Sequence, residues 1–220
     1  MPYLNVEPIA GAGDLTASHS LLRLQASQFN ICDVGAGDGK FALRLSRAHP
    51  QAVVVALDAE ATRMRKVAQR LKGRAPDNLL FWTLSMDDAV SGTSELFDEI
   101  HVVLPWGSLL EGMVGFNDVV LGHVLGLGRS GARLRVVLNC RPWRQGHSAL
   151  RTERLPAPSD PEVTANVTRF LTERGWVVEE WARMDEAEAR KIESSWARRL
   201  ASSQPPEYVR FAATRVNVEV

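Results

Sequence analysis

The sequence predicts an α/β protein: a doubly wound, mostly parallel sheet with helices on both faces. Three observations predict it. Strand-sized and helix-sized apolar patterns alternate along most of the 220 residues, and a glycine turn, Gly35-Ala-Gly-Asp-Gly39, joins one such strand to the helix after it. The run Val53-Val-Val-Ala-Leu57 is β-branched and apolar at every position, as in a strand buried on both faces.

The elements follow in order. Asn30-Ile-Cys-Asp-Val34 is the first core strand, and beyond the glycines Phe41, Leu45 and Ala48 recur at helical spacing until Pro50. The second strand, from Val53, ends at Asp58. A helix over about 60–72 comes next, with Met64, Val67, Ala68 and Leu71 as its apolar stripe and Arg63, Lys66, Arg70 and Arg74 on another. Further strands are expected at 79–84, 99–104 and 133–139, with a helix at 117–127 between the last two. A helix over 161–174 leads through Gly175 into the strand Trp176-Val-Val-Glu-Glu-Trp181, a helix at 186–201 follows, and 208–216 alternates as a closing strand. That last strand follows a helix that need not cross the sheet, so it is free to insert antiparallel. Residues 1–220 read as one domain, with 1–28 an N-terminal extension and 29–220 the core.

Composition narrows the function classes. Lys+Arg and Asp+Glu number 26 each, so the formal net charge is zero. No apolar run approaches the ~20 residues of a membrane span, and the N-terminus lacks a basic stretch followed by an apolar one. The expectation is a soluble, cytoplasmic protein without a membrane partner. Cys32 and Cys140 fall in apolar segments and read as free, buried thiols, and no metal-ligand spacing is present. The zero is uneven along the chain. Residues 61–75 hold six basic and no acidic side chains, 76–100 six acidic and no basic, and 129–155 seven basic and one acidic. A nucleic-acid partner is therefore open through local patches, although without a large overall positive field it must be held by shape.

The glycine turn sits where a nucleotide-binding loop is needed, since glycine permits positive φ and close approach of backbone to ligand. Asp58, 19 residues past Gly39, is placed to accept hydrogen bonds from both hydroxyls of a ribose. The spacing separates two cofactors. In a dinucleotide fingerprint the third glycine comes one residue later, and an acid two residues before the first glycine, here Asp33, would repel a pyrophosphate. It suits the cationic amino-acid end of S-adenosylmethionine. Gly35 and Gly37 are the glycines expected against that ligand. After the third strand, Met86 can cover an adenine face and Asp87 can accept from its amino group. After the fourth come Leu104, Pro105 and Trp106, where the proline leaves carbonyls free to accept and the indole can stack on a base.

Three segments together, Asp33-Val-Gly-Ala-Gly-Asp-Gly39, Leu104-Pro-Trp-Gly-Ser-Leu-Leu110 and Ser194-Ser-Trp-Ala-Arg-Arg-Leu200, resemble the aminoglycoside-resistance 16S rRNA methyltransferases that modify N1 of adenine 1408. The resemblance runs over roughly residues 28 to 216. It implies the class I S-adenosylmethionine-dependent methyltransferase fold, with seven strands and the last antiparallel. It implies an enzyme that acts as a monomer on the decoding site of the assembled 30S subunit and confers resistance to drugs of the kanamycin and apramycin kind. By motif match, the flipped adenine is held between Trp106 and Trp196, with main-chain carbonyls of Leu104 or Pro105 accepting from its amine. The donor site implied comprises Asp33, Gly35, Gly37, Asp58, Met86, Asp87, Leu104, Trp106, Ser194 and Ser195. Positive linkers imply phosphate contacts for Arg63, Lys66, Arg70, Arg144, Arg151 and Arg199. Two other readings stay open: another RNA methyltransferase, such as a tRNA guanine-N7 enzyme, whose fourth strand also ends in Pro-Trp, or an inactive ribosome-associated module that binds the cofactor. A nicotinamide-dependent oxidoreductase leaves the glycine spacing and the Pro-Trp pair unexplained.

Overall fold

A computed structural model describes residues 7–8, 17–71, 74–86, 93–141, 143, 155–190, 192 and 207–216. Among these are eight strands: β1 (Glu7–Pro8), β2 (Asn30–Val34), β3 (Val53–Asp58), β4 (Leu79–Thr83), β5 (Phe97–Val103), β6 (Gly128–Asn139), β7 (Trp176–Arg183) and β8 (Tyr208–Arg215). The helices are α1 (Ala17–Ala26), α2 (Lys40–Ala48), α3 (Ala61–Arg70), α4 (Gly107–Met113), α5 (Asp118–Gly126), α6 (Pro161–Thr172) and α7 (Glu186–Arg190).

The strands form one sheet in the order β1-β4-β3-β2-β5-β6-β8-β7. Strands β2 to β6 run parallel, and β8 inserts antiparallel between β6 and β7. Setting aside β1, a two-residue antiparallel addition to the β4 edge, the seven remaining strands have the expected class I methyltransferase order with the last one reversed. The order reverses at β2 and β5. Ligands of open α/β sheets bind beyond the carboxyl ends of the strands at such a point, so Asp33, Asp58 and Leu104 all fall where a ligand belongs.

The two faces are covered differently. Ala42 of α2 with Met64 and Ala68 of α3 packs on Ile31, Val54, Ala56 and Phe81. On the other face Leu24, Leu110, Leu121, Val124 and Val167, from α1, α4, α5 and α6, pack on Cys32, Val55, Val102 and Val136. Neighbours such as Ile31 and Cys32 thus serve opposite faces, the period-two consequence of the pleat. Both cysteines are free and buried. No helix among the described residues is long and apolar enough to cross a membrane.

Several elements differ from expectation. The short helix α4 was not anticipated, because two glycines in seven residues carry almost no helical signal. Gly112 lets α4 pack closely on α5: a Cβ there would lie 3.0 Å from Val120 Cγ1 and 3.1 Å from the Leu121 nitrogen, tight enough that α5 would have to give by a few tenths of an ångström. Strand β6 begins at Gly128, five residues early, because an irregularity in its register with β5 adds polar residues the alternation cannot flag. The helix expected at 186–201 is seen only as α7; Ile192, described beyond it, is not helical, and the rest of that span lies outside the described residues.

Candidate active site

The loop after β2 is tied to the end of β3. The amides of Gly35 and Ala36 both donate to the Leu57 carbonyl, at 2.8 and 3.0 Å. The Gly37 amide donates to Asp58 Oδ2 and the Glu60 amide to Asp58 Oδ1, each at 2.7 Å. Asp58 is thereby fixed at the strand end, and each of its oxygens keeps a lone pair for a ligand hydroxyl.

Gly35, Gly37 and Gly39 have φ of 74°, 60° and 71°. Their surroundings assign them different work. A Cβ on Gly35 would meet Leu109 Cδ2 at 2.7 Å and one on Gly39 would meet Phe81 Cε1 at 2.8 Å, so these two let the loop pack on the protein. A Cβ on Gly37 would meet nothing within 4 Å, which leaves that position open to an approaching ligand. Both Gly35→Ala and Gly37→Ala should lose about 1–2 kcal/mol from the left-handed backbone, and Gly35→Ala more because Leu109 must also give. Urea unfolding of the two variants checks this; equal losses would mean that the Leu109 contact is irrelevant.

Asp33 is the electrostatic centre. It is 2% exposed, and its Oδ2 has no hydrogen-bond partner among the described residues. Burial, reinforced by the charge of Asp58, raises its carboxyl from 3.8 to about 7. Asp38 adds a third carboxylate, held by Lys40 at 2.7 Å. A loop ringed by three acids disfavours a pyrophosphate and favours a cation at the unused oxygen of Asp33. Next to Asp33 in the sheet stands His101, whose Nε2 lies 3.1 Å from Glu99 Oε1. That pair, with Arg135 at 2.5 Å from the same oxygen, holds Glu99 down at about 2. Glu99 and His101 stand two residues apart on one face of β5, whereas Arg135 reaches them only through the register of β6.

One strand over, the chain leaves β5 under strain. Leu104 has φ of 53°, which costs a non-glycine residue about 1–2 kcal/mol. Its amide donates to the Val137 carbonyl at 2.8 Å, which holds it there. Pro105 is buried, and half-buried Trp106 precedes α4 in an extended conformation (φ −133°, ψ 166°). The strand end is therefore a fixed bend presenting a proline and an indole. Met86 is buried in the core, with its carbonyl 2.7 Å from His123 Nδ1.

Asp33, Gly35, Gly37, Asp58, Leu104, Pro105 and Trp106 thus gather at neighbouring strand ends. Arg63, Lys66 and Arg70 lie apart from them, exposed along α3 and without an ion pair among the described residues. Since α3 descends from the β3 end, Arg70 is roughly 10 Å further along the helix than Arg63. Asp87, Ser194, Ser195, Trp196, Arg144, Arg151 and Arg199 lie outside the described residues. The strand part of the basic segment 129–155 is spoken for internally: Arg129 pairs with Asp98, Arg133 with Glu179 at 2.8 Å, and Arg135 with Glu99.

The chain is similar to known proteins of one family. Residues 12–215 match the family model described as "NpmA: 16S rRNA (adenine(1408)-N(1))-methyltransferase". A 16S rRNA (adenine(1408)-N(1))-methyltransferase of Streptoalloteichus tenebrarius is 35% identical over 180 residues, covering 79% of this chain and 81% of the relative. Among solved structures, a tryptophan-to-alanine variant of the Catenulisporales acidiphilia 16S rRNA (adenine(1408)-N(1))-methyltransferase with cosubstrate SAM is 29% identical. It superposes with a TM-score of 0.84 over 98% of this chain and 99% of that one. The 16S rRNA methyltransferase KamB gives 28% identity and a TM-score of 0.78 over 93% and 95% of the two chains.

Proposed function

The chain belongs to the 16S rRNA (adenine(1408)-N(1))-methyltransferase family, and on that premise we propose how its own residues methylate the base. The enzyme transfers a methyl group from S-adenosylmethionine to N1 of adenine 1408 in 16S rRNA, and its family includes aminoglycoside-resistance methyltransferases. The observation that carries the residue assignment is the meeting of an acidic glycine loop with the Leu104-Pro105-Trp106 bend at adjacent strand ends.

The site residues fit the donor. Asp33 Oδ2, buried and unused, accepts from its ammonium group, Gly37 leaves room for it, and Asp58 accepts from its ribose hydroxyls. When bound, S-adenosylmethionine supplies an electrophilic sulfonium methyl. Adenine N1 carries a free lone pair at neutral pH, so no general base is required. The protein's task is to flip the base, at a cost of a few kcal/mol of unstacking, and to aim N1 at the methyl group. Trp106 stacks on the flipped ring, with Trp196 as its counterpart, and the carbonyls of Leu104 or Pro105 accept from the amine. Positive charge accumulates on the purine during transfer, and an indole face favours a cationic ring by about 0.5–2 kcal/mol, which lowers the barrier relative to bound substrate. Met86, Asp87, Ser194 and Ser195 complete the donor site in this reading, and Arg63, Lys66, Arg70, Arg144, Arg151 and Arg199 contact phosphates. The substrate is the assembled 30S subunit, met by a cytoplasmic monomer.

Mass spectrometry of 16S rRNA fragments tests this, after purified protein and donor are incubated with 30S subunits, 50S subunits or tRNA. A methyl group on the 30S fragment that contains adenine 1408 is the expected result. Label confined to tRNA, or none in 30S with soluble protein, would end the proposal.

A further inference from the structure

Two side chains at the ends of β6 and β8 play no part in the chemistry above. Asn139, the last residue of β6, pairs across the sheet with Tyr208, the first of β8. They are 7% and 3% exposed, yet neither the Asn139 Nδ2 nor the Tyr208 hydroxyl has a hydrogen-bond partner among the described residues. Buried donors without acceptors are destabilising and few in native proteins, so two side by side call for a ligand.

The orientation of the amide is chemically forced. Asn139 Oδ1 accepts from the backbone amide of Arg141 at 3.1 Å, and turning the amide over would set its NH2 against that N–H. The amino group therefore points away from the turn with both protons unused.

Its place in the sheet says what it can meet. The strand ends run β2, β5, β6 across the sheet. Val103 pairs with Val137 and the Leu104 amide donates to the Val137 carbonyl, so Asn139, two residues past Val137, lies on the strand beside the bend that carries Pro105. Leu104 and Tyr208 share one apolar patch with Val103 and Val137. Around the edge of adenine the order is N1, the exocyclic amine, then N7. With N1 facing the donor loop at β2 and the amine at the carbonyls after β5, N7 faces β6.

We propose that Asn139 orients the target base, donating a hydrogen bond from Nδ2 to N7 of the flipped adenine. The inference rests on the adenine-N1 reading given under Proposed function. Asparagine commonly meets adenine through N7 and the amine together. Here its oxygen is committed to Arg141, so the main chain after β5 takes the amine and Asn139 takes N7. Since N7 is an acceptor in both purines, this bond does not separate adenine from guanine. It fixes rotation in the plane of the ring, so that N1 and not another nitrogen meets the methyl group.

Asn139→Asp keeps the shape and the acceptor for Arg141 while removing the donor; Asn139→Ala removes both. Both are compared with wild type for methylation of 30S subunits, donor affinity by calorimetry, and melting temperature. Expected is a loss of tenfold or more in kcat/KM for 30S, with donor affinity unchanged within about threefold. Subunits reconstituted with 7-deazaadenosine at position 1408 should cost wild type a similar factor and cost Asn139→Ala nothing further. The assignment fails if wild type is indifferent to 7-deazaadenosine, if Asn139→Ala acts at the wild-type rate, or if activity falls only in step with donor affinity and melting temperature. Wild type on natural 30S is the control: no methylation there sinks the adenine-N1 reading itself, whereas normal methylation with indifferent variants sinks the role of Asn139 alone.

Discussion

Asp33→Asn is expected to cut methylation sharply at limiting donor and, at the same time, to make the ligand-free protein more stable above neutral pH. The two effects share a cause. Burial, then the nearby charge of Asp58, pushes the Asp33 carboxyl from 3.8 up to about 7. A folded-state value above the unfolded one means that the native protein holds the proton more tightly. The associated stability is fully present below the unfolded value, near pH 4, and is lost as pH rises through about 7. The whole span is on the order of 4 kcal/mol, which an asparagine, always neutral, does not lose. Urea unfolding at pH 5, 6.5 and 8 should show wild type weakening across the series, with that component missing from Asp33→Asn.

Donor binding runs the other way. The ammonium group of S-adenosylmethionine favours the ionised carboxyl, so binding releases a proton below about pH 7 and affinity drops as pH falls, by up to about tenfold per pH unit. In Asp33→Asn the charge-assisted bond is gone. A loss of about a hundredfold or more in donor affinity is expected, with the pH dependence flattened. Calorimetry in buffers of different ionisation enthalpy reads both the affinity and the released proton. Wild-type affinity that is constant from pH 5.5 to 8, or an asparagine variant that binds as wild type does, would show that Asp33 does not hold the donor's ammonium.

The parts of this site legible in the sequence are those whose chemistry is local. The strand before Gly35, the acid at Asp58 and the Pro105-Trp106 pair are each recognisable from a few consecutive residues, and the sheet places them together because its order reverses between β2 and β5. What escaped depends on register. Arg129, Arg133 and Arg135 look like a basic block in sequence, yet each faces an acid from another segment: Asp98, Glu179 and Glu99. Part of the zero net charge is therefore cross-strand pairing and unavailable to RNA, while Arg63, Lys66 and Arg70 on α3 face outward. The strain at Leu104 was equally invisible, because a leucine gives no sign of positive φ, and only the pairing of its amide with Val137 reveals why it persists. Asn139 reads as an ordinary strand end until the Arg141 amide is seen to occupy its oxygen.

Trp106→Ala is expected to separate chemistry from donor binding. Trp106 stands at the start of α4, held between two residues with positive φ, Leu104 at 53° and Gly107 at 57°. Its own extended backbone suits alanine, and it makes no side-chain cap to α4, so truncation should leave the bend in place. In the stacking role proposed for Trp106, truncation removes one face of the base sandwich. Stacking on an aromatic is worth about 1–3 kcal/mol per base, and preferential stabilisation of the charged purine adds about 0.5–2 kcal/mol. Together these predict a fall in kcat/KM for 30S of about tenfold to several thousandfold, with donor affinity within about threefold of wild type. Trp106→Phe, which keeps a smaller ring face, should fall between the two. The split between kcat and KM is informative: stacking that acts mainly on the flipped ground state raises KM, whereas stabilisation of developing charge lowers kcat. Methylation by Trp106→Ala at the wild-type rate would refute the stacking role. Donor affinity lost in proportion to activity would move Trp106 from the base to the donor side of the site.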